Sequence, residues 1–136
     1  MGSAIFTNIG IFILKQVAKL SFKVVYILSD VLFFVVYRIA GYRKKIVIRN
    51  LRNSFPDKNE EELKIILKNF YRHLCDLILE AIKMGNMKEE DFRERMVIEN
   101  PEAVNRFYDS GRSVVVLTMH YSNWEWSSCF PLKIKH

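Results

Sequence analysis

The stretch GRSVVVLTMHYSNWEW, residues 111–126, decides how this chain is expected to fold. Its β-branched run at residues 113–119 is typical of a strand that is buried in a parallel sheet. Upstream, MVIEN at residues 96–100 predicts a shorter strand, and PEAVNRFYD at residues 101–109 predicts a helix with proline at its first position. Strand, helix and strand in this order form a βαβ unit, so the sequence predicts an α/β fold.

Two chemically active side chains, His120 and Glu125, follow the predicted buried strand. On one continuous helix, five steps of about 100° would place them roughly 140° apart, and on one continuous strand an odd offset would send them to opposite faces. They can meet only if a turn follows the strand and Glu125 starts the next helix. Ligands of open α/β sheets bind beyond the carboxyl ends of the strands, so this turn is a candidate site.

A histidine held by a carboxylate is two thirds of a catalytic triad: the histidine is the general base, and the carboxylate orients it. The nearby hydroxyl and thiol side chains stand in no nucleophile elbow: Ser122, Ser127, Ser128 and Cys129. We therefore expect the activated hydroxyl to belong to the substrate. The alternative for His120 is a hydrogen-bonded histidine at a strand end, and the alternative for Trp126 is core packing.

Residues 4–40 are dominated by Ile, Leu, Val and Phe, with five charged side chains among them: Lys15, Lys19, Lys23, Asp30 and Arg38. A transmembrane helix needs about 20 apolar residues with few charges. The three lysines recur every four residues, so on one helix they share a face, as in a helix that lies in the membrane interface. Interfacial or re-entrant helices and one true span over residues 24–37 are both open.

The positive charge coincides with the most apolar part of the chain. Residues 1–53 hold nine basic side chains and one acidic one, a charge of +8, whereas residues 54–136 carry −2. This pattern favours an anionic lipid surface over nucleic acid. The basic segment GYRKKIVIRNLRNSF, residues 41–55, belongs on the cytoplasmic side by the positive-inside rule, and a solvated helix face is the alternative.

A long helix is predicted from Asn59, as its N-cap, to about Met84, with acidic residues in its first turn. Its apolar stripe is expected to pack in the core: Leu63, Ile66, Leu67, Phe70, Leu74, Leu77, Ile78 and Ala81. We interpret His73 and Cys75 on this helix as structural. The spacing of Cys75 and Cys129 suggests neither a metal site nor a disulfide framework.

HYSNWEW, residues 120–126, is an H-x4-E motif with an Asn-Trp pair, after an apolar run and a Gly-Arg turn. With these surroundings the chain resembles the bacterial lipid A biosynthesis acyltransferases of the lauroyl/myristoyl type, within the wider glycerolipid acyltransferase-like group. The resemblance extends over the N-terminal apolar segment, GYRKKIVIRNLRNSFP at residues 41–56 and FYRHLCDLILEAIKM at residues 70–84.

The resemblance implies that His120 is the general base on an acceptor hydroxyl, that Glu125 orients it, and that Asn123 and Trp124 shape the pocket. The implied reaction moves a fatty acyl group from an acyl carrier protein or acyl-CoA thioester to a lipid hydroxyl, with a lipid A precursor favoured. No metal and no cofactor beyond the donor is implied. The implied partners are membrane lipid and acyl carrier protein, not nucleic acid, at the cytoplasmic face of the bacterial inner membrane. Many family members have glycine where Ser122 stands.

The resemblance also implies two domains: residues 1–40 as a membrane-anchoring or interfacial segment, and residues 41–136 as the N-terminal portion of the α/β domain, with a truncated sheet. Members of the family are longer than this chain. We therefore expect the chain to hold the catalytic pair but to have little or no activity alone. The alternative function is a non-enzymatic, membrane-associated interaction module.

Overall fold

The computed structural model describes residues 2–135, and the side chains of residues 4–135. Its six α-helices are α1 (Gly2–Lys19), α2 (Phe22–Phe33), α3 (Lys44–Ser54), α4 (Glu60–Met84), α5 (Glu89–Arg95) and α6 (Pro101–Asp109). A π-helical segment, Phe34–Ala40, continues α2, and a 3₁₀-helix spans Trp124–Leu132. The chain divides into two compact units, Met1–Lys83 and Met84–His136. The predicted division into domains 1–40 and 41–136 stays a prediction.

The predicted α/β fold is wrong, because no strand or sheet forms among residues 2–135 and the described chain is all α. The runs at residues 96–100 and 113–119 therefore build no βαβ unit, although α6 between them has its predicted bounds. Val115 is 86% exposed and Leu117 is 93% exposed, so the run is not buried either. A strand exists only when its backbone pairs in a ladder, and β-branched composition specifies no partner for that ladder.

The start of α4 follows the prediction closely. The Asn59 side-chain oxygen accepts hydrogen bonds from the backbone N–H groups of Glu61 and Glu62, both at 3.0 Å. The Glu62 carboxylate accepts in return from the Asn59 N–H at 3.0 Å. This reciprocal pair is a capping box, which satisfies N–H groups that have no partner within the helix.

The buried face of α4 differs from the predicted stripe. Its buried residues recur every four positions: Leu63, Leu67, Tyr71, Cys75, Leu79 and Lys83. Phe70 and Ile78, which were expected in the core, are exposed. Because an α-helix has 3.6 residues per turn, a four-residue spacing winds around the helix by about 40° per step. The buried face thus turns along α4, which is how one long helix can bury residues against different neighbours.

The centre of the first unit is a cluster of Phe33, Leu67, Tyr71 and Cys75. Tyr37 joins it, with its ring centroid 5.2 Å from that of Phe33 and 5.4 Å from that of Tyr71. Apolar side chains of α3 pack against the same cluster. Aromatic packing at these distances adds to the stabilisation that area burial alone provides.

Polar contacts join α2 to α4 along one seam. The Ser29 hydroxyl, which is 1% exposed, donates to the Asp76 carboxylate at 2.6 Å, and the Tyr26 hydroxyl donates to Glu80 at 2.7 Å. Asp30, the acid within the apolar run, lies 3.9 Å from the Arg72 guanidinium. The seam explains why polar residues interrupt an apolar helix: they are its contacts with α4.

The two N-terminal helices break at residues 20–21, so the predicted common face of three lysines is wrong. Lys15 and Lys19 belong to α1, whereas Lys23 belongs to α2. The end of α1 is instead tied to α4, since the buried Lys83 ammonium donates to the Ala18 carbonyl at 3.0 Å. A charged donor on a backbone carbonyl is one of the stronger hydrogen bonds that a buried amine can make.

A sharp elbow separates the π-helical segment from α3. Gly41 follows the last residue of the π-helical segment, with a φ of 59°, and Arg43 also has a positive φ, 51°. The Tyr71 hydroxyl donates to the Tyr42 carbonyl, which ties the elbow to α4. Among the described residues, no single helix is both long and apolar enough to cross a bilayer; residues 22–40 and α3 meet the criterion only as a pair bent by 96°.

In the second unit, Gly111 lies just beyond the end of α6. Gly111 has a φ of 69°, and the Arg112 N–H donates to the Phe107 carbonyl at 2.9 Å. This is the Schellman ending, in which glycine takes the left-handed conformation. Trp126 of the 3₁₀-helix meets Phe92 of α5 edge-on, with ring centroids 6.4 Å apart, which agrees with its interpretation as a packing residue.

Candidate functional site

His120 lies in a tight turn at the end of the exposed run. The Tyr121 N–H donates to the Met119 carbonyl at 2.9 Å, which closes a three-residue turn around the histidine. Ser122 has a φ of 51°, in the left-handed region that favours glycine. The 3₁₀-helix then begins at Trp124, with Glu125 in its first turn. A turn and a helix start near Glu125 are present as expected, but the buried strand that was predicted before them is not.

The imidazole of His120 contacts the indole of Trp124. The two ring centroids lie 4.3 Å apart, with an angle of 53° between the ring planes. Both residues are exposed, and Asn123 between them is half-buried. An exposed imidazole can exchange protons with a bound hydroxyl, because packed hydrocarbon does not seal it from a substrate. The indole provides an apolar wall beside that group.

His120 and Glu125 do not contact each other in this arrangement. Among the ion pairs that the described residues form within 4.0 Å, none joins this imidazole to this carboxylate. Both side chains are exposed on one short turn segment, so rotation about their side-chain bonds is sterically open. The role of Glu125 as the orienting group stays a prediction, as do the roles of His120, Asn123 and Trp124.

Two polar groups near the turn are buried, the Cys129 thiol and the Trp126 indole N–H. Cys129 is buried, with its sulfur 3.9 Å from the Ser128 hydroxyl oxygen. The Trp126 indole N–H is buried and has no hydrogen-bond partner among the described residues. Within residues 2–135, no group of three or more His, Cys, Asp or Glu side chains is arranged to hold a metal ion.

Cys75 and His73, which both belong to α4, have different environments. Burial, together with the adjacent Asp76 carboxylate, raises the pKa of the Cys75 thiol, so this cysteine is a poor nucleophile at neutral pH. His73 is exposed on the same helix. The prediction that Cys75 is structural agrees with its place in the core cluster.

An apolar surface runs along α2 and its π-helical continuation. Its exposed residues are Val24, Ile27, Val31, Phe34 and Val35. At about 100° per residue these positions centre roughly 180° from the buried positions Val25, Ser29 and Phe33. Residues 4–16 of α1 are exposed as well, and most of them are apolar. Soluble monomers rarely expose so large a continuous apolar surface, so this one indicates a membrane or a partner.

The sequence did not reveal how the basic elbow is built. The positive φ of Arg43 has no signal in the residue type, since arginine rarely takes that conformation. The anchor from Tyr71 to Tyr42 joins residues 29 positions apart. Helical spacing fits Phe70 as well as Tyr71, so no sequence signal separated the two, although only Tyr71 is buried.

These features define a helical protein with an apolar, basic first unit and an exposed histidine on a turn of its second unit. The family model described as bacterial lipid A biosynthesis acyltransferase matches residues 2–131, almost the whole chain. The chain therefore belongs to that family, whose members are associated with membranes. Neither a curated protein nor a solved structure matches the chain.

Proposed function

We propose that this chain carries the base side of an acyl-transfer site, which moves a fatty acyl group from a thioester donor to a lipid hydroxyl. The donor is acyl carrier protein or acyl-CoA, and the acceptor is a lipid A precursor. The site is at the cytoplasmic face of the bacterial inner membrane. His120 is the general base, Glu125 orients it, and Asn123 and Trp124 shape the pocket. No cofactor beyond the donor takes part.

The chemistry requires one proton relay. The His120 imidazole accepts the proton of the acceptor hydroxyl while its oxygen attacks the thioester carbonyl carbon. The tetrahedral intermediate then expels the donor thiolate, and the imidazolium returns the proton to that sulfur. The products are an ester and a free thiol. A positioned general base of this kind contributes roughly 10²–10⁴ in rate. A carboxylate beside the imidazolium stabilises its charge during the transfer.

The observation that carries this proposal is the position of His120. The imidazole is exposed in a tight turn, immediately after an apolar run and beside the Trp124 indole. Ser122 takes the left-handed conformation in the bend before the 3₁₀-helix, which has Glu125 in its first turn. Family membership over residues 2–131 supports the same reading. In the catalytic arrangement the Glu125 carboxylate, which is exposed to solvent in the described structure, rotates to contact the His120 imidazole.

We expect slow turnover by the 136-residue chain. The exposed apolar run at residues 113–119 leaves water free access to the region beside His120, and an acyl-transfer site works best when water is excluded. The assay therefore needs a radiolabelled acyl carrier protein donor and lipid acceptor in vesicles, so that rare transfers are detected. Fast turnover would contradict this expectation and show that the described residues already close the site.

The role of His120 is tested with His120→Ala against His73→Ala, since His73 is the other exposed histidine that the structure describes. We expect the first variant to lose the transfer that wild type shows, by a factor of about 10² or more, and the second to keep it. Equal transfer by wild type and His120→Ala would contradict the assignment.

A second measurement does not depend on turnover. Diethyl pyrocarbonate modifies exposed imidazoles, and mass spectrometry locates the modified positions. Long-chain acyl donor is expected to protect His120 and to leave His73 as reactive as before, because only His120 lies beside the proposed pocket. Equal protection at both histidines, or at neither, would contradict the proposal.

A non-enzymatic, membrane-associated interaction module is the second candidate. The lack of contact between His120 and Glu125 in the described structure favours it, as does the packing of the first unit around α4. This candidate predicts that deleting residues 1–40 releases the chain from membranes, and that substituting His120 or Glu125 has no effect on a complementation phenotype. The acyltransferase proposal predicts that either substitution abolishes the phenotype.

A further inference from the structure

The segment around the elbow is strongly basic and has no acidic side chain of its own. Residues 31–56 contain no Asp or Glu and six basic residues: Arg38, Arg43, Lys44, Lys45, Arg49 and Arg52. Like charges one helical turn apart repel each other, so such a cluster destabilises α3 unless an anion lies beside it. The question is which of these cations the protein itself neutralises.

Three of the cations are engaged within the first unit, and one of them, Arg38, has its guanidinium carbon 5.8 Å from the centroid of the Tyr37 ring. The Arg52 guanidinium donates to both carboxylate oxygens of Glu60, at 3.0 and 3.1 Å. The Lys44 ammonium lies 4.2 Å from the centroid of the Tyr37 ring. By contrast, no described carboxylate lies within ion-pair distance of Lys45 or Arg49. Their charges face outward without a counterion from the described protein.

Lys45 and Arg49 stand one helical turn apart on the same face of α3. Together with Ile48, Arg52 and Asn53 they line a shallow groove of about 380 Å³. The opposite side of α3 is fixed, because Val47 and Leu51 pack against the core cluster. The two unpaired cations, Lys45 and Arg49, and the Asn53 amide can together contact several oxygen atoms of a phosphate group.

The surroundings of this groove identify the kind of phosphate. Exposed apolar residues precede and interleave the basic ones along the elbow: Phe34, Val35, Ile39, Tyr42 and Ile46. Lys45 also lines a neighbouring hollow with Ile46 and Ile48, so basic and apolar side chains meet there. Such a mixture suits the boundary between lipid headgroups and acyl chains. Nucleic acids and acidic proteins could bind the basic side chains, but they have no hydrocarbon layer that would bury the aliphatic ones.

The orientation of α3 is fixed before any lipid binds. The positive φ values of Gly41 and Arg43 set the 96° bend, and the Tyr71 hydroxyl holds the Tyr42 carbonyl within it. A rigid basic face pays little ordering entropy when it binds, in contrast to a disordered basic tail.

We propose that Lys45 and Arg49 form a binding site for the phosphate groups of anionic phospholipids, engaged when the apolar residues 34–46 lie on a membrane. The site makes anionic lipid, and not merely a bilayer, the preferred surface of this protein. It is independent of the acyl-transfer proposal, because no residue of the His120 turn takes part in it.

The test is binding of the full chain to vesicles of phosphatidylcholine alone and to vesicles with about a third of anionic phosphatidylglycerol. The variant is Lys45→Gln with Arg49→Gln. We expect its affinity for the anionic vesicles to fall roughly thirtyfold, from about fivefold for each lost charge. Its affinity for the neutral vesicles should be unchanged, and the difference between the two lipids should shrink at high salt.

The matched control is Lys64→Gln with Lys68→Gln on α4, which removes the same charge at the same spacing. We expect it to keep nearly all binding, and far-ultraviolet circular dichroism should show that both variants keep their helices. An equal loss in the control overturns the proposal, because the effect would then be one of net charge.

Two further results with vesicles, and one with DNA, would also overturn it. One is an equal loss of binding to the neutral vesicles. The other is release of the wild type from anionic vesicles by inorganic phosphate, when chloride at the same ionic strength does not release it, since the groove would then bind free phosphate. Duplex DNA that binds through Lys45 and Arg49, with vesicle binding unaffected by the substitutions, would identify a nucleic-acid site instead.

Discussion

Replacing Ser29 by alanine should destabilise the first unit markedly, although it removes a single oxygen atom. The Ser29 hydroxyl is 1% exposed and donates to the Asp76 carboxylate at 2.6 Å. Hydrogen bonds to charged groups contribute about 1.5–3 kcal/mol. Asp76 is half-buried, so water replaces part of the lost bond. We therefore expect the free energy of unfolding to fall by about 2 kcal/mol, toward the lower part of that range.

Urea unfolding, followed by circular dichroism at helical wavelengths, measures this loss. With a slope of about 2 kcal/mol per molar urea, the midpoint should fall by about 1 M. Ser21→Ala is the control, because Ser21 is exposed, precedes the same helix and makes no side-chain capping bond. A Ser29→Ala midpoint no lower than that of Ser21→Ala would refute the reasoning. In an Asp76→Ala background, Ser29→Ala should cost less, since the partner is already absent.

Three more predictions concern the packing, the cap and the titration of α4. Leu67→Ala should cost about 2–5 kcal/mol of unfolding free energy because Leu67 is buried in the core cluster, whereas Ile65→Ala, at an exposed site, should change it by less than about 0.5 kcal/mol; equal urea midpoints would contradict the described packing. Asn59→Ala should cost about 1 kcal/mol through loss of the capping bonds, and Asn69→Ala, in the exposed helix interior, should cost nothing; a destabilisation of both, or of neither, would exclude the cap. Because burial raises the pKa of the Cys75 thiol, the unfolded chain loses this proton at a lower pH than the folded chain does, and the unfolding free energy should decrease as the pH rises above about 8.5. This part of the pH dependence should be absent in Cys75→Ala, and identical pH profiles of the two proteins would contradict it.

The helices could be predicted because their ends are local. Asn59 caps α4 through bonds to residues two and three positions away, and Gly111 ends α6 through contacts within a few residues. A pattern of neighbouring residue types records such contacts directly. The bounds of α6 match the prediction for the same reason, with Pro101 at its first position.

The absence of a sheet from the described residues could not be foreseen, because strand pairing is not local. Residues 113–119 have the composition of a buried strand, yet Leu117 is nearly fully exposed and no described backbone pairs with the run. Composition gives the preference of one segment, and the ladder depends on a second segment and its register. The winding of the buried face of α4 is non-local too, since Phe70 and Ile78 satisfy helical spacing as well as Tyr71 does but face away from the core.

The same distinction between local and non-local contacts applies to the candidate site. A turn and a helix start were expected here because neither a continuous helix nor a continuous strand lets His120 and Glu125 approach. Both features form, although the approach itself is not seen. The contact between the two side chains depends on their rotamers and on what fills the pocket, and spacing constrains neither. The contact that forms instead, between His120 and Trp124, joins residues four positions apart.

The seam between α2 and α4 bears on the choice between an interfacial helix and a true span. Ser29 and Asp30 face α4, whereas the exposed apolar residues of α2 lie on the opposite side. If α2 crossed the bilayer with this seam intact, α4 would follow it into hydrocarbon with nine acidic or basic side chains among residues 60–84. At about 2.5–3.5 kcal/mol for each charge near the bilayer centre, that cost exceeds what the apolar face of α2 can offset. The packing therefore favours a helix that lies in the interface, with its apolar face toward lipid and α4 on the aqueous side.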